Sequence, residues 1–185
     1  MFFEYVRLLD EVKPKYFMLE NVKMKKEYQD IISKYLGVEP IEINSALVSV
    51  QKRKRLYWTN IPGIQHPEDL HIPIQLNEGE FPAYMDTKRI IRKTKKFSCL
   101  TATYCRGIRG AGRPFVSKKL GHYDEVREYQ RMLTPIECER LQTLPDNYTQ
   151  GISNSQRYKA LGNGWTVDVV AHIFKNIAQS VEQTA

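Results

Sequence analysis

Apolar positions near the start of the chain follow first a helical and then a strand-like spacing. From Phe2 to Val12 they recur at helical intervals and stop before Pro14, which predicts a helix over this stretch. The run at residues 16–19 is short, apolar and aromatic, so it predicts a buried strand that ends at Glu20.

The alternation of helix and strand continues along the chain. Residues 25–36 return to helical periodicity, and Gly37 is placed to end that helix because glycine readily adopts left-handed backbone angles. Residues 41–50 and 56–60 are rich in strand formers and predict two strands. This order of elements is typical of a layered α/β domain, in which helices cover a sheet.

The pattern changes between residues 62 and 130. Prolines interrupt long elements there and glycines gather towards the end; these residues are Pro62, Pro67, Pro73, Pro82, Gly107, Gly110 and Gly112. We interpret the segment as an inserted, loop-rich subdomain. It would divide the chain into an α/β part at residues 1–61, the insertion at 62–130 and a helical part at 131–185.

Helical signals return after the insertion. Thr134 is a capping residue, Pro135 occupies the first helical position, and Glu137 completes a capping-box pattern, which predicts a helix that ends near Pro145. A final helix is predicted over residues 166–180. Its apolar stripe comprises Val167, Val170, Ile173, Phe174 and Ile177.

Positive charge is concentrated in one part of the sequence. The chain has a net charge of +7, and residues 88–119 contain eleven basic side chains and no acidic one. A basic block beside a more acidic body is expected of a surface that binds a polyanion, and nucleic acid is the first candidate. The alternative is a solvated, lysine-rich loop.

Composition excludes several other classes of protein. With 42% hydrophobic and 26% charged residues, the chain resembles an ordinary folded domain rather than a disordered or fibrous protein. No apolar run is long enough to cross a bilayer, so a cytoplasmic protein is expected, associated with the nucleoid through DNA. Cys99, Cys105 and Cys138 have no zinc-site spacing, so reduced thiols and no metal are predicted.

Four segments carry the most specific pattern. They are residues 14–22 with Glu20-Asn21-Val22, residues 51–55 with a Gln-x-Arg-x-Arg pattern, residues 131–145 with the capped helix, and residues 162–167, Gly-Asn-Gly-Trp-Thr-Val. In this order they resemble the later sequence blocks of the DNA (cytosine-5)-methyltransferases. The resemblance extends over nearly the whole chain.

The resemblance implies an α/β, partial Rossmann-like S-adenosylmethionine-dependent methyltransferase fold with an inserted small target-recognition domain. Residues 1–61 and 131–185 would belong to the catalytic core, and residues 62–130 would bind DNA. Enzymes of this family flip a cytosine out of the duplex, add a cysteine to C6 and transfer a methyl group from S-adenosylmethionine to C5. Double-stranded DNA is the implied partner and S-adenosylmethionine the implied cofactor.

The chemistry indicates which residue types the reaction needs. Attack on cytosine requires an acid at the ring N3 and hydrogen-bond donors at the carbonyl oxygen, where negative charge develops. Glu20 matches the family's acid, and Arg53 or Arg55 matches the arginines that contact the carbonyl. On a regular strand Gln51, Arg53 and Arg55 would share one face and point into one cleft, while the lysines between them would face solvent.

The resemblance also implies residues that contact cofactor and DNA. Asn163, Gly164 and Trp165 match the turn that the family brings against the cofactor, and a glycine before a helix N-terminus suits an anionic carboxylate.

Residues 100–107 resemble a threonine-led strand and loop that approach DNA. The residues expected to bind DNA are Thr101, Arg106, Gly107, Arg109 and Arg113, with Lys93, Lys95 and Lys96. Arg131 and Arg140 would brace the recognition domain, contact phosphate or form structural salt bridges.

Two features of the family do not occur in the sequence, namely the Pro-Cys-Gln motif of the nucleophile and the glycine-rich main cofactor loop. The three cysteines stand in other contexts, so no nucleophile is assigned.

One functional hypothesis is that the chain is a methyltransferase lobe that is inactive alone and that an N-terminal lobe completes in trans. The alternative is a noncatalytic DNA-binding remnant, and a third reading is a generic basic nucleic-acid-binding α/β domain. The chain would be an expressed fragment, a split-enzyme subunit or a truncated gene remnant.

The family resemblance also leads to a prediction about the oligomeric state of the chain. In the complete family fold, the strand at residues 16–19 and the final helix would pack against a lobe that this sequence does not contain, and soluble monomers rarely leave such surfaces open. We therefore expect a homodimer or a complementary subunit. The target bases are not predictable because recognition loops follow no transferable code, and both restriction protection and phage defence fit the family.

Overall fold

The computed structural model describes residues 2–73, 75–107 and 113–182. The chain divides into two compact units, which are described separately. Unit 1 takes its residues from Met1–Asn44, Lys54–Pro67 and Ala171–Ala185, and unit 2 from Ser45–Arg53 and Glu68–Val170. The short segment Ser45–Arg53 therefore belongs with residues much further along the chain.

Unit 1 contains a three-stranded sheet with helices packed on it. The helices are α1 (Phe2–Val12) and α2 (Lys26–Leu36), and the strands are β1 (Met18–Asn21), β2 (Ile41–Asn44) and β3 (Lys54–Thr59). β3 is central, and both neighbours are antiparallel to it. Ile32, Leu56 and Trp58 form the buried core between α2 and the sheet. The predicted layering of helices on a sheet is therefore present.

The bounds of several unit 1 elements differ from the prediction; β3, for example, begins at Lys54 instead of residue 56. β1 begins at Met18 instead of residue 16 and is only half-buried, because it pairs with β3 alone. Its predicted burial on both faces is thus wrong. β2 ends at Asn44 rather than residue 50, because the chain turns into a 3-10 helix, Ser45–Leu47. Gly37 ends α2 as predicted, in the left-handed conformation with φ 68°.

Unit 2 contains a five-stranded antiparallel sheet within the stretch that was predicted to be loop-rich. Its strands are β4 (Phe81–Met85), β5 (Ile90–Lys93), β6 (Phe115–Ser117), β7 (Gly121–His122) and β8 (Gln130–Arg131), in the order β7-β5-β4-β6-β8. Each strand has five residues or fewer. Such short strands leave little alternation in the sequence, and this is why they were missed.

Three helices accompany this sheet in unit 2, namely α3 (Tyr123–Val126), α4 (Pro135–Leu141) and α5 (Asn154–Asn163). The predicted capping box of Thr134 and Glu137 is confirmed at the start of α4. The helix ends at Leu141, before the predicted Pro145, because Thr143 adopts left-handed backbone angles with φ 55°. Helix α5 was not predicted, although Ser153 opens it with a second capping box.

The predicted threonine-led strand at residues 100–104 is instead a turn followed by a 3-10 helix, Tyr104–Arg106. Leu100 and Tyr104 are fully buried in the main apolar core of unit 2. The Tyr104 hydroxyl accepts a hydrogen bond from the Leu133 amide at 2.7 Å, and burial raises the pKa of this phenol. The turn and the 3-10 helix thus bring both side chains into the core without a strand.

The last helix, α6, spans Val167–Glu182, close to the predicted range. Among the side chains that the structure describes in this helix, Val169, Val170 and Ile173 are buried, whereas Val167 and Phe174 of the predicted stripe are 40% and 45% exposed. The buried face is therefore narrower than the predicted stripe. Among the described helices, none is long and apolar enough to cross a membrane.

Candidate active-site and DNA-contacting residues

Glu20 and Arg55 form an ion pair within unit 1. β1 and β3 are antiparallel neighbours, with Glu20 opposite Tyr57 and Asn21 opposite Leu56. Nε of Arg55 lies 2.8 Å from Oε1 of Glu20, and the two side chains are only 15% and 17% exposed. This arrangement places one carboxyl group and one guanidinium together at the end of β1. A carboxyl can donate a proton to a ring nitrogen, and a guanidinium can stabilise charge on a carbonyl oxygen.

Gln51 and Arg53 do not share a strand with Arg55. Arg55 lies in β3, whereas Gln51 makes an isolated parallel bridge with Phe97 and Arg53 precedes the strand. The alternation of burial is nevertheless as predicted, because Gln51 and Arg53 are buried while Lys52 is exposed. Gln51 and Arg53 belong to unit 2, and Arg55 belongs to unit 1.

The Arg53 guanidinium is directed at main-chain carbonyls of unit 2. Nη2 donates to the Gly164 carbonyl at 2.8 Å, and Nη1 donates to the Leu100 carbonyl at 3.1 Å. Nη1 also lies 3.5 Å from the Gly162 carbonyl and 3.3 Å from Sγ of Cys99. The side chain is 4% exposed, so these contacts replace its hydration.

The residues predicted to contact the cofactor lie where α5 ends. Asn163 is the last residue of α5, and Gly164 caps it by donating its amide to the Ala160 carbonyl at 2.8 Å. Trp165 and Thr166 lie between Gly164 and the start of α6 at Val167, so the segment at residues 162–167 leads into the final helix. Trp165 is 47% exposed, which is unusual for the largest side chain.

The predicted DNA-contacting residues occupy several parts of unit 2. Thr101 and Arg106 are exposed, and the Gly107 carbonyl accepts a hydrogen bond from Arg113 at 2.7 Å. Gly107 has φ 91°, a conformation that suits glycine. Arg109 lies outside the described residues.

The three predicted lysines differ in their surroundings. Lys93 and Lys95 are exposed, and the Lys93 ammonium lies 5.3 Å from the centre of the Phe81 ring. Lys96 is half-buried, and its ammonium donates to the carbonyls of Ala46 and Ser49. Within the same basic segment, Arg89 pairs with an aspartate at 2.7 Å. The positive surface of the described residues is therefore smaller than the sequence alone suggests.

The structure brings together polar residues that sequence reasoning missed. Gln142 is fully buried, and its side chain donates to the Leu161 carbonyl at 2.6 Å and accepts from Thr166 at 3.0 Å. Glu139 is also fully buried and pairs with Arg157 at 2.8 Å. Burial opposes ionisation of Glu139, but hydrogen bonds from Thr149 and Arg157 outweigh it and hold the pKa of this carboxyl below its ordinary value. Both residues lie in the family-like segment at residues 131–145, but the sequence did not indicate their burial, because their partners are distant in the chain.

The cysteines offer no cluster of metal ligands. Among the described residues, no group of three or more His, Cys, Asp or Glu side chains is arranged to hold a metal ion. Cys138 is buried, Cys99 is partly buried and Cys105 is exposed. Burial raises the pKa of the Cys138 thiol well above its ordinary value, which disfavours a nucleophilic thiolate.

Arg131 and Arg140 are both held in ion pairs. Arg131 contacts Glu80 at 2.6 Å and Glu137 at 2.8 Å, so it connects the start of the five-stranded sheet to the first turn of α4. Arg140 pairs with Asp146 at 2.6 Å. Of the roles that the sequence left open, structural salt bridging is the one seen for both residues.

Comparison with known proteins identifies the family to which the chain belongs. A family model described as C-5 cytosine-specific DNA methylase matches residues 1–96 and 25–179. The chain belongs to this family. The resemblance inferred from the four sequence segments is thereby confirmed.

Relatives include plant and bacterial enzymes. The chain is 32% identical over 185 aligned residues to the DNA (cytosine-5)-methyltransferase DRM2 of Oryza sativa subsp. japonica, a match that spans 86% of this chain but 30% of that protein. It is 25% identical to the type II methyltransferase M.HhaI of Haemophilus parahaemolyticus, over 98% of this chain and 68% of that protein. The chain thus covers less than a third of the rice relative.

Solved structures support the fold. The S. pombe Dnmt2 methyltransferase superimposes with a TM-score of 0.66 at 19% identity, over 97% of this chain and 70% of that one. Likeness at this level of identity establishes a shared fold and leaves substrate open. The α/β methyltransferase fold predicted from the sequence is therefore confirmed at this level.

Proposed function

We propose that this chain supplies the base-contacting and DNA-recognition parts of an S-adenosylmethionine-dependent DNA cytosine-5 methyltransferase. The observation that carries the proposal is the shielded pair of Glu20 and Arg55, 2.8 Å apart at neighbouring strands. Glu20 would hold a proton at N3 of a flipped cytosine, and Arg55 would donate to its carbonyl oxygen. The low exposure of both side chains strengthens these interactions, because water screens them less.

The turn at residues 163–165 would contribute one edge of the cofactor site. Trp165 keeps nearly half of its surface exposed, which leaves a ring face available for stacking, and Asn163 offers an amide. When bound, S-adenosylmethionine supplies the methyl group. The glycine-rich loop that the family uses as its main cofactor contact does not occur in this sequence, so the turn alone fits only part of the cofactor.

Residues 62–130 would form the target-recognition subdomain, with residues 1–61 and 131–185 belonging to the catalytic core. The five-stranded sheet supplies a scaffold for exposed basic residues, including Lys93, Lys95 and Arg106. Such side chains neutralise phosphate charge and position a protein on duplex DNA. Lys96 would support the loop that holds Ala46 and Ser49 rather than contact phosphate.

Methylation would require a second polypeptide, or further sequence, that provides the nucleophilic cysteine. None of the three cysteines stands in the Pro-Cys-Gln context, and Cys138 is buried with a raised pKa. The alternative function is noncatalytic DNA binding through the basic segment. It would need neither Glu20 nor Arg55, so these two residues distinguish the two functions.

Binding of a displaced cytosine tests the proposal. A pool of duplexes with one cytosine opposite an abasic site is compared with fully paired duplexes by fluorescence anisotropy, using the purified chain. We expect tighter binding to the displaced cytosine, and the substitutions Glu20→Gln and Arg55→Gln should each reduce that preference by roughly tenfold. Lys54→Gln is the matched control, because Lys54 neighbours Arg55 and its side chain is 61% exposed.

The outcomes separate the two functions. Equal affinity for paired and displaced cytosine, with binding retained, would favour noncatalytic DNA binding. Loss of preference in Lys54→Gln as well would mean that general charge, not the Glu20 and Arg55 pair, recognises the base.

A further inference from the structure

Arg53 contacts two segments that are far apart in the sequence. Its guanidinium donates to the carbonyl of Leu100, directly before the exposed turn at residues 101–106, and to the carbonyl of Gly164, within the turn at residues 163–165. All of these residues belong to unit 2. One buried side chain thus holds both the segment proposed to approach DNA and the turn proposed to face the cofactor.

The two segments also touch directly. A Cβ atom added to Gly162 would lie 2.2 Å from the carbonyl carbon of Thr101 and 2.3 Å from the amide nitrogen of Ala102. Only glycine, which has no Cβ atom, permits two main-chain segments to lie this close together. A displacement of residues 101–102 would therefore be transmitted to the end of α5, because closely packed atoms have no free space to absorb it.

Two buried amides reinforce the same connection. Gln51 accepts a hydrogen bond from the Leu100 amide at 2.8 Å and donates to Gln142 at 3.3 Å. Gln142 in turn donates to the Leu161 carbonyl at 2.6 Å. Each of these groups lies in the interior, where a broken hydrogen bond costs more than at the surface.

We infer that Arg53 is a positioning residue that couples the turn at residues 101–106 to the turn at residues 163–165, rather than a residue that contacts cytosine. The inference rests on the proposed function for the identity of the two ligands. Coupling of this kind is reciprocal: DNA that orders the first turn favours one arrangement of the second, and a cofactor at the second turn favours DNA at the first. A guanidinium suits the role because its planar fork reaches several carbonyls at once, whereas lysine presents a single compact charge.

Trp165 provides a native signal for the coupling. The chain contains two tryptophans; Trp58 is fully buried, so a change in solvent exposure on binding is expected from Trp165. Titration of duplex DNA into the wild-type chain should change the Trp165 emission, and Trp165→Phe should abolish that change. In Arg53→Lys the DNA should still bind, as judged by anisotropy, but the emission change should be lost. Lys52→Gln, the exposed neighbour that loses a positive charge, should retain it.

The result that would overturn the inference is an unchanged Trp165 response in Arg53→Lys, which would mean that DNA touches Trp165 directly or that other contacts couple the turns. A wild-type chain whose Trp165 emission does not respond to bound DNA would overturn it equally. This second result needs no variant, so it decides the matter even if Arg53→Lys fails to fold.

Hydrogen exchange without DNA separates this inference from the proposed function. In Arg53→Lys, amides of residues 100–106 and 162–165 should lose protection together, by about tenfold, while amides of β4 and β6 should not change. Loss confined to one of the two segments would overturn the coupling. If the chain binds no DNA at all, the proposed function is contradicted. The hydrogen-exchange result then still tests whether Arg53 couples the two turns.

Discussion

Nη2 of Arg131 lies 2.6 Å from Oε2 of Glu80, whose side chain is only 6% exposed. The hydrogen bond from Arg131 lowers the pKa of Glu80 from 4.5 to about 2. A carboxyl with a depressed pKa stabilises the folded state above its unfolded pKa, and this stabilisation is lost as the pH falls through the folded value. Stability should therefore decline as the pH falls from about 4.5 to about 2.

Glu80→Gln should lower the free energy of unfolding at neutral pH by roughly 2 kcal/mol and flatten its dependence on pH in that acidic window. Urea unfolding followed by circular dichroism at several pH values measures both effects. Glu78→Gln is the control, since Glu78 is exposed and close in sequence. If the free energy of unfolding depends on acidic pH equally in Glu80→Gln and in the wild type, Glu80 is not the group responsible for the decline.

The isolated chain should not transfer a methyl group to DNA. Covalent activation of C6 needs a positioned thiolate, and the sequence carries no Pro-Cys-Gln motif to supply it. Incubation with labelled S-adenosylmethionine and mixed-sequence DNA should leave the DNA unlabelled, while M.HhaI treated in parallel serves as the positive control. Labelling by this chain would disprove the prediction, and its survival in Cys99→Ser, Cys105→Ser and Cys138→Ser together would exclude all three thiols as nucleophile.

Duplex DNA binding should depend strongly on salt, because phosphate contacts release counterions. Substituting both Lys93 and Lys95 by glutamine should reduce the slope of log affinity against log salt by about 2, one for each phosphate contact. The double substitution of Lys25 and Lys34, exposed residues of unit 1, is the charge-matched control. Equal slopes in the two double variants would remove Lys93 and Lys95 from the DNA interface.

Lys96 should behave differently from its neighbours. Because its ammonium donates to main-chain carbonyls of Ala46 and Ser49, Lys96→Gln is expected to affect folding more than the salt slope. The prediction that all three lysines contact phosphate treats them alike, since a sequence does not reveal which basic side chain turns inward.

Self-association is expected through the aromatic surface of unit 1. Phe3 and Tyr35 are 61% and 54% exposed, and their ring centres lie 5.3 Å apart. Apolar side chains exposed together mark an interaction surface more often than isolated ones. Light scattering should detect a dimer at micromolar concentration, and Phe3→Ser with Tyr35→Ser should convert it to a monomer. Tyr148→Ser, which alters an exposed aromatic residue of unit 2, is the control. A wild-type monomer over a broad concentration range would disprove the prediction.

Local signals predicted local structure well. Gly37 and the Thr134 capping box marked helix ends correctly, because capping is decided by neighbouring residues. The capping box of Ser153 was equally visible, but α5 carries few apolar residues and so lacked the periodicity that was required of a helix. Helix ends were therefore easier to predict than a mostly polar helix.

Long-range partners could not be predicted from the sequence. The sequence did not indicate the ion pair of Glu20 with Arg55, and the burial of Arg53 against Leu100 and Gly164 depends on residues 47 and 111 positions away. Spacing along one strand placed Arg53 and Arg55 on a common face. Arg53 instead lies just before β3, which begins at Lys54, and no local pattern marks that boundary.

At Leu100, the side chains of Gln51 and Arg53 bind main-chain groups: Gln51 accepts from the amide, and Arg53 donates to the carbonyl. Every residue except proline offers the same two groups, so these bonds do not depend on which side chain occupies position 100. If residues 62–130 form the proposed target-recognition subdomain, a foreign segment grafted there would still present these two groups, provided that its backbone follows the same path past Gly162. Under that proposal, exchange of the segment would change the target preference of this chain while Gln51 and Arg53, which lie outside it, stay fixed.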